Sequence, residues 1–143
     1  RNAVMFGEPG HLYTYFTYGM HTCANVVCGP EGQASGCLLR AGEIVEGLEL
    51  ARSRRDTSRS DADLARGPAR LTVAAGITLA DGGADLASSR IRLELGGGVT
   101  EVATGPRTGV SGQGGTEEFP WRFWIPGDPT VSPYKAHSPK RRS

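Results

Sequence analysis

The first 40 residues carry the pattern of a β-hairpin followed by a third strand. Residues 12–18 are rich in aromatic and β-branched side chains and contain no breaker, which favours a strand. A similar run follows at 22–28. The residues between the two runs predict the tip of a hairpin: Tyr18, Gly19, Met20 and His21. A turn at 29–32 then leads to a third predicted strand at 37–40.

Two helices are predicted after these strands. Residues 43–55 place apolar side chains at helical spacing, with Glu early and Arg late, as the helix dipole prefers. Gly47 weakens this helix. A second helix is predicted to begin at Gly67-Pro68, because proline is favoured at the first helical position.

The second half of the chain predicts loops and short strands. Residues 78–89 are typical of a loop, whereas residues 90–95 alternate between apolar and charged and predict a half-exposed strand. The glycine-rich stretch 96–118 predicts loops with a short strand near 99–103. The aromatic run 119–125 predicts the last core strand.

These elements together predict an α+β fold. It is a mostly antiparallel, curved sheet with two packed helices and Gly-rich loops, in a single domain over residues 1–133. The basic tail 134–143 is expected to be disordered. The content of 21 glycines and 9 prolines in 143 residues agrees with many turns.

The composition excludes several classes of protein. The longest apolar runs span only a few residues, so no transmembrane helix is predicted, and no signal peptide is visible. The chain opens in mid-pattern on Arg1, from which we expect that it lacks an N-terminal part. Reduced thiols in a cytosolic protein are favoured over a zinc site, because neither the cysteines nor the histidines have ligand spacing: Cys23, Cys28, Cys37, His11, His21 and His137.

Charge is unevenly spread along a chain whose net charge is only +1. Residues 52–70 hold six arginines against three aspartates, and the tail from Tyr134 is basic. Such patches either form a solvated face with a disordered tail, or steer the protein toward a polyanion such as DNA. The arginines predicted to contact phosphates are Arg52, Arg54, Arg55 and Arg70.

Three of the four tyrosines lie within residues 13–18. Strand alternation places Tyr13, Tyr15 and Thr17 on the face opposite Leu12, Thr14, Phe16 and Tyr18. Tyrosines in strands usually pack in the core or across strands. Exposed aromatic rings also stack on nucleobases, and a bulky side chain on a hairpin tip fills the gap that an extruded nucleotide leaves. Tyr18-Gly19-Met20 is the candidate wedge.

Five sequence blocks resemble the alkyladenine (3-methylpurine) DNA glycosylase family, and they are most similar to its actinobacterial members. In order they are MFGEPGHLYTYFTYGMH at 5–21 continued by CANVV at 23–27, LLRAGE at 38–43 with EGLE at 46–49, GPARL at 67–71, PRTGV at 106–110 and PWRFW at 120–124. Their order and spacing cover nearly the whole chain.

The resemblance implies a monofunctional glycosylase in base-excision repair. Such an enzyme flips an alkylated purine or hypoxanthine out of duplex DNA and hydrolyses its N-glycosidic bond. Carried over residue by residue, Tyr18 is the intercalating residue, with Met20 and His21 as flanking DNA contacts. Tyr15 stacks on the flipped base, Asn25 disfavours guanine at the pocket floor, and Thr108 lies where the backbone contacts the base. Arg40 lies beside the catalytic water.

The family's general base is a glutamate in an E-T-E-A-Y-type segment upstream of the block that starts this chain. Glu8 does not replace it, because it occupies the variable position before Pro9-Gly10. We therefore expect an active full-length glycosylase and an inactive or nearly inactive 143-residue chain. Two alternatives stay open: a non-enzymatic damaged-DNA-binding module, and a small-molecule-binding or transferase domain of the same fold.

The resemblance also implies the chain's surroundings. The expected partner is double-stranded DNA with a damaged purine, and no cofactor, metal or membrane is expected. The protein is expected to be a monomer in the bacterial cytoplasm, associated with the nucleoid.

Overall fold

The computed structural model describes residues 2–139. They form two compact units that divide between Gly96 and Gly97. Both units are built from antiparallel strands, and the first also carries two helices, so the predicted α+β class is confirmed. The domain boundary at residue 133 stays a prediction. No helix in the described part of the chain is long and apolar enough to cross a membrane.

The first unit is built around the predicted hairpin. Strand β1 (Leu12–Thr17) pairs antiparallel with β2 (His21–Val26), and a two-residue β3 (Cys37–Leu38) adds to the other edge of β2. The hairpin follows the prediction. Strand β2 is shifted toward the tip, however, and β3 is two residues shorter than expected. A two-residue strand has few ladder bonds, so its neighbours must hold it in place.

One face of the hairpin forms the core of this unit. Leu12 and Ala24 are fully buried and pack with Ile77 and Leu86. On the same face the Thr14 hydroxyl donates to the Leu79 carbonyl at 3.2 Å. The alternation of β1 and β2 therefore directs Leu12, Thr14 and Ala24 into the core, whereas Phe16, nearer the tip, is exposed.

One helix packs on the hairpin, and a second helix packs on the first. Helix α2 (Pro68–Ala75) begins at the predicted proline, and Thr72 ties it to the hairpin by donating to the Thr22 carbonyl at 2.8 Å. Helix α1 (Leu48–Arg54) is shorter than the predicted 43–55. Gly47 has a φ of +69°, in the left-handed region, so the helix cannot extend back through it. The prediction for residues 43–47 is therefore wrong.

The predicted strand at 90–95 is also wrong, because these residues have irregular backbone. Ile91 packs against the core, and the Leu93 N–H donates to the Leu86 carbonyl at 2.9 Å, but Leu95 is 90% exposed. Alternation alone therefore did not make a strand, since a strand also requires a partner ladder.

The second unit contains β4 (Ala103–Gly105) and β5 (Arg122–Trp124), with Thr104 opposite Phe123. The prediction of a core strand over 119–125 is wrong in length and in burial. Trp121 and Phe123 are exposed, whereas Arg122 is buried, lies 4.3 Å from the Trp124 ring and donates to the Ser132 carbonyl. The buried position goes to Arg122 because a stacked, hydrogen-bonded guanidinium is satisfied there.

Part of the predicted disordered tail is described by the structure. Residues 134–139 have no regular secondary structure, yet the Lys135 carbonyl accepts a hydrogen bond from the Gly109 N–H at 2.9 Å. The rest of this prediction, at residues 140–143, lies outside the described residues.

Candidate nucleic-acid interface

The hairpin face opposite the core carries the predicted base-binding residues. Tyr13 lies across from Asn25, and Tyr15 lies across from Cys23. The two tyrosine rings are nearly parallel, with centroids 5.8 Å apart and an interplanar angle of 26°. This face therefore presents an aromatic wall next to a polar amide.

Asn25 is held in place from several directions. It is buried, and its Nδ2 donates to the Tyr13 carbonyl at 3.4 Å. A methyl group built on Gly36 would lie 3.5 Å from the Asn25 Cβ and 3.6 Å from the Met5 Cε. A side chain at position 36 would therefore meet Asn25 at ordinary contact distance, and the amide itself is held by its bond to the Tyr13 carbonyl.

Leu38 lies on the same face as Asn25. Leu39 packs against the core cluster and donates its N–H to the Ala24 carbonyl at 2.9 Å. Alternation then sets Leu38, which pairs with Asn25, on the opposite face. Strand β3 ends at Leu38, so the place of Arg40 on this face stays a prediction. We call this surface the pocket face; it comprises Tyr13, Tyr15, Cys23, Asn25 and Leu38, with Arg40 as its predicted sixth member.

The pocket face unites two predicted site residues, Tyr15 and Asn25, with three that sequence reasoning did not assign to the site: Tyr13, Cys23 and Leu38. Tyr13 was assigned to the face of Tyr15 by alternation, and this was the signal that could have identified it. Cys23 and Leu38 follow only from the strand register, which a single sequence does not reveal.

Burial raises the pKa of Tyr15 to about 12, and the neighbouring Cys23 thiol adds to the increase. The phenol therefore remains neutral at physiological pH. A neutral ring offers a stacking surface without placing a negative charge next to a DNA phosphate.

The hairpin tip presents its side chains to solvent. Tyr18 is 85% exposed and Met20 is 67% exposed, and His21 is exposed as well. Tyr18 has a φ of +52° and Gly19 a φ of +67°, and the Met20 N–H closes the turn on the Thr17 carbonyl at 3.2 Å. A bulky L-residue in the left-handed region is strained by about 1–3 kcal/mol. An exposed, strained aromatic residue is typical of a functional position.

The four predicted phosphate-contacting arginines all have partners within the first unit. Arg52 donates to both oxygens of Asp61, at 2.9 and 2.8 Å, and also contacts Glu49. Arg70 contacts the Asp63 carboxylate. These bonds give Arg52 and Arg70 a role in the fold, and their contact with phosphate stays a prediction.

Arg54 and Arg55 bond mainly to backbone. Arg54 donates to the Ala74 carbonyl at 3.1 Å. Arg55 donates to the carbonyls of Asp63 and Leu64, at 3.0 and 3.2 Å. The side chain of Arg55 is only 12% exposed, which leaves little of it to meet a phosphate.

Thr108 lies in the second unit, three residues after β4. Its Oγ1 is buried and has no hydrogen-bond partner among the described residues. Its assignment to the base pocket stays a prediction. Within residues 2–139 no group of three or more metal-ligating side chains lies together.

Comparison with known proteins identifies the family of this chain. The family described as "Methylpurine-DNA glycosylase (MPG)" matches residues 1–129. The chain therefore belongs to the methylpurine-DNA glycosylase family.

Three relatives have names that describe 3-methyladenine DNA glycosylases. A protein of Leifsonia xyli subsp. xyli is 64% identical over 96% of this chain, one of Streptomyces avermitilis is 58% identical over 99%, and one of Nocardia farcinica is 53% identical over 94%. The chain spans 66%, 68% and 64% of their respective lengths. The predicted actinobacterial likeness is thereby confirmed.

Replacing Tyr18 with Asn is expected to stabilise the protein. Asn tolerates the left-handed conformation, so relief of strain should raise the free energy of unfolding by roughly 1 kcal/mol. Tyr18→Phe, which keeps both the ring and the strain, is the matched control. Urea unfolding monitored by circular dichroism compares the two variants; equal stabilities would show that position 18 is not strained.

The pKa of Tyr15 predicts a loss of stability at high pH. The unfolded chain ionises Tyr15 near its ordinary value of 10.0, whereas the folded chain does so near 12. Below pH 10.0 this difference in pKa does not change the free energy of unfolding. As the pH rises from 10.0 through 12, the free energy of unfolding falls. Tyr15→Phe should reduce this fall and remove the last phenolate transition from an ultraviolet titration. A titration with all transitions unchanged would contradict the burial of Tyr15.

Proposed function

We propose that this chain is the DNA-binding and base-recognising part of a 3-methyladenine DNA glycosylase that acts in base-excision repair. The observation that carries the proposal is the hairpin, which has a strained, exposed tyrosine at its tip and stacked tyrosines beside a buried asparagine on one face. Family membership supports duplex DNA as the substrate, and the proposed lesion in it is an alkylated purine or hypoxanthine.

The tip supports the extrusion of a nucleotide. Turning a base out of the duplex leaves a gap, and an inserted aromatic side chain replaces the lost stacking. Tyr18 is exposed enough to enter that gap, with Met20 and His21 on either side of the insertion. Tyr15 lies within β1, three residues before Tyr18, which is in the turn that follows the strand. The wedge and the stacking residue are thus carried by the same hairpin.

The pocket face supports the recognition of the base. The flipped purine stacks on Tyr15, which Tyr13 backs with a parallel ring. Asn25 meets the edge of the purine and disfavours the exocyclic amine of guanine. Because the amide is bonded to the Tyr13 carbonyl, it cannot easily turn away from an ill-fitting base.

Hydrolysis requires a group that the pocket face does not carry. Departure of the purine leaves positive charge on the sugar, and a carboxylate assists by deprotonating water and by opposing that charge. None of the six pocket-face residues has a carboxylate. Arg40 can hold the water but cannot accept its proton. We propose that the general base is a glutamate of the longer family protein, outside these 143 residues.

The same observation favours one second candidate, a damaged-DNA-binding module that does not cleave. Both candidates use double-stranded DNA as the partner, and the proposal has the protein act as a monomer on the bacterial chromosome without a cofactor.

Single-turnover release of hypoxanthine from a duplex tests the proposal. We expect the folded 143-residue chain to bind the lesion duplex. It should release hypoxanthine about 100- to 10,000-fold more slowly than the Leifsonia relative, because general-base catalysis contributes a rate factor of this size. Release at a comparable rate would show that the catalytic general base lies within these 143 residues. Absence of any binding to the lesion duplex would contradict the proposed function.

Asn25→Ser is expected to relax discrimination against guanine. The shorter hydroxyl leaves room for the exocyclic amine, so the affinity ratio between hypoxanthine-containing and guanine-containing duplexes should fall toward one. Asn2→Ser, the same change at an exposed residue, is the matched control. Competition binding measures the ratio, and an unchanged ratio in a folded Asn25→Ser variant would refute the role of Asn25.

A further inference from the structure

The arginine-rich segment of the first unit contains one arginine whose surroundings differ from the rest. Arg52 is paired with Asp61 and Glu49, while Arg55 and Arg70 share Asp63. Burial alone would raise the pKa of Asp63, but the Ser58 hydroxyl and the charges of Arg70 and Arg55 outweigh it and lower that pKa. The carboxylate is therefore ionised and compensates the arginines beside it.

Arg59 has no such partner. Its side chain is exposed and makes no hydrogen bond or ion pair to any other residue within 2–139. Its backbone, in contrast, is anchored, because the Arg59 main chain bonds to the Asp63 carboxylate. A fixed backbone that carries an uncompensated guanidinium is suited to meet a ligand from outside the chain.

Arg59 borders a shallow cavity of about 280 Å³. Arg52 and Arg55 also line it, and Ser58 and Ser60 add hydroxyl groups. We call this cavity the Arg59 notch.

Two carboxylates, Asp56 and Asp61, line the notch as well. Asp61 is neutralised by its two bonds from Arg52. Asp56 has no such partner among the described residues, and it is the one group in the notch that opposes an anion.

We propose that the Arg59 notch binds a phosphate of the DNA backbone, an inference that rests on the proposed function. A guanidinium offers a planar fork of donors that matches two phosphate oxygens, and neighbouring hydroxyls supply further donors. Phosphate contacts fix the position and register of a protein on the duplex and carry no sequence information. The notch thus serves as an anchor, whereas the hairpin selects the lesion.

The salt dependence of duplex binding by the 143-residue chain tests this proposal. One phosphate contact contributes about 0.9 to the slope of log K against log salt, or about eightfold in affinity at ~0.1 M salt. Arg59→Ala should reduce the slope by about 0.9 and the affinity by about eightfold on damaged and undamaged duplexes alike. The ratio of the affinities for the two duplexes should stay unchanged. Asp56→Asn should tighten binding to both.

Arg92→Ala is the matched control, since Arg92 is exposed, has no side-chain partner in the described part of the chain and lies outside the notch. An equal loss with Arg92→Ala would show a general effect of charge and overturn the site. Inorganic phosphate is compared with chloride at equal ionic strength as the competitor. Phosphate should displace the duplex more than chloride does, because it occupies the same donors, and Arg59→Ala should remove this difference; an equal difference in Arg59→Ala would overturn the site.

The outcomes separate this inference from the proposed function. If the unmodified chain prefers the damaged duplex and Arg59→Ala binds both duplexes with the same affinities, phosphate binding by the Arg59 notch is refuted and the proposed function is unaffected. If the unmodified chain binds no duplex, the proposed function fails, and the notch fails with it.

Discussion

The antiparallel pairing of β1 and β2 is the constraint on which the rest of the first unit depends. Because side chains alternate along a strand, burying Leu12 and Ala24 in the core forces Tyr13, Tyr15 and Asn25 to the other face. A slip of one residue in the register would exchange the two faces. Core packing and the position of the pocket face are therefore specified by the same ladder.

The same ladder connects the pocket face to the hairpin tip. Tyr15 and Tyr18 belong to one continuous segment, so their spacing is set by backbone geometry rather than by flexible loops. The strain at Tyr18 is tolerated because the pairing of Thr17 with His21 closes the turn below it. Helix α2 supports β2 from the core side through the bond between Thr72 and Thr22. The tip and the pocket face therefore belong to one hairpin.

The parts of the fold that could be predicted are those with local signals. The hairpin follows from β-branched and aromatic runs around a short turn, and α2 from its leading proline. The predictions are wrong where the structure depends on contacts between residues that are distant in the sequence. Residues 90–95 lack a partner ladder, and the second unit buries Arg122 instead of its aromatic neighbours. In the candidate site, Asn25 and Arg40 are predictions that rest on the resemblance. The ion pairs that occupy Arg52 and Arg70 depend on folded geometry that composition does not show.

The affinity of the 143-residue chain for a duplex with one abasic-site analogue, compared with the fully paired duplex, tests the central claim most directly. An abasic site already contains the vacancy that Tyr18 is proposed to fill, and a stacking interaction is worth about 1–3 kcal/mol. The account predicts that the abasic duplex binds about 5- to 150-fold more tightly, and that Tyr18→Ala removes this preference. Equal affinity for the two duplexes, in a chain shown to be folded, would contradict it.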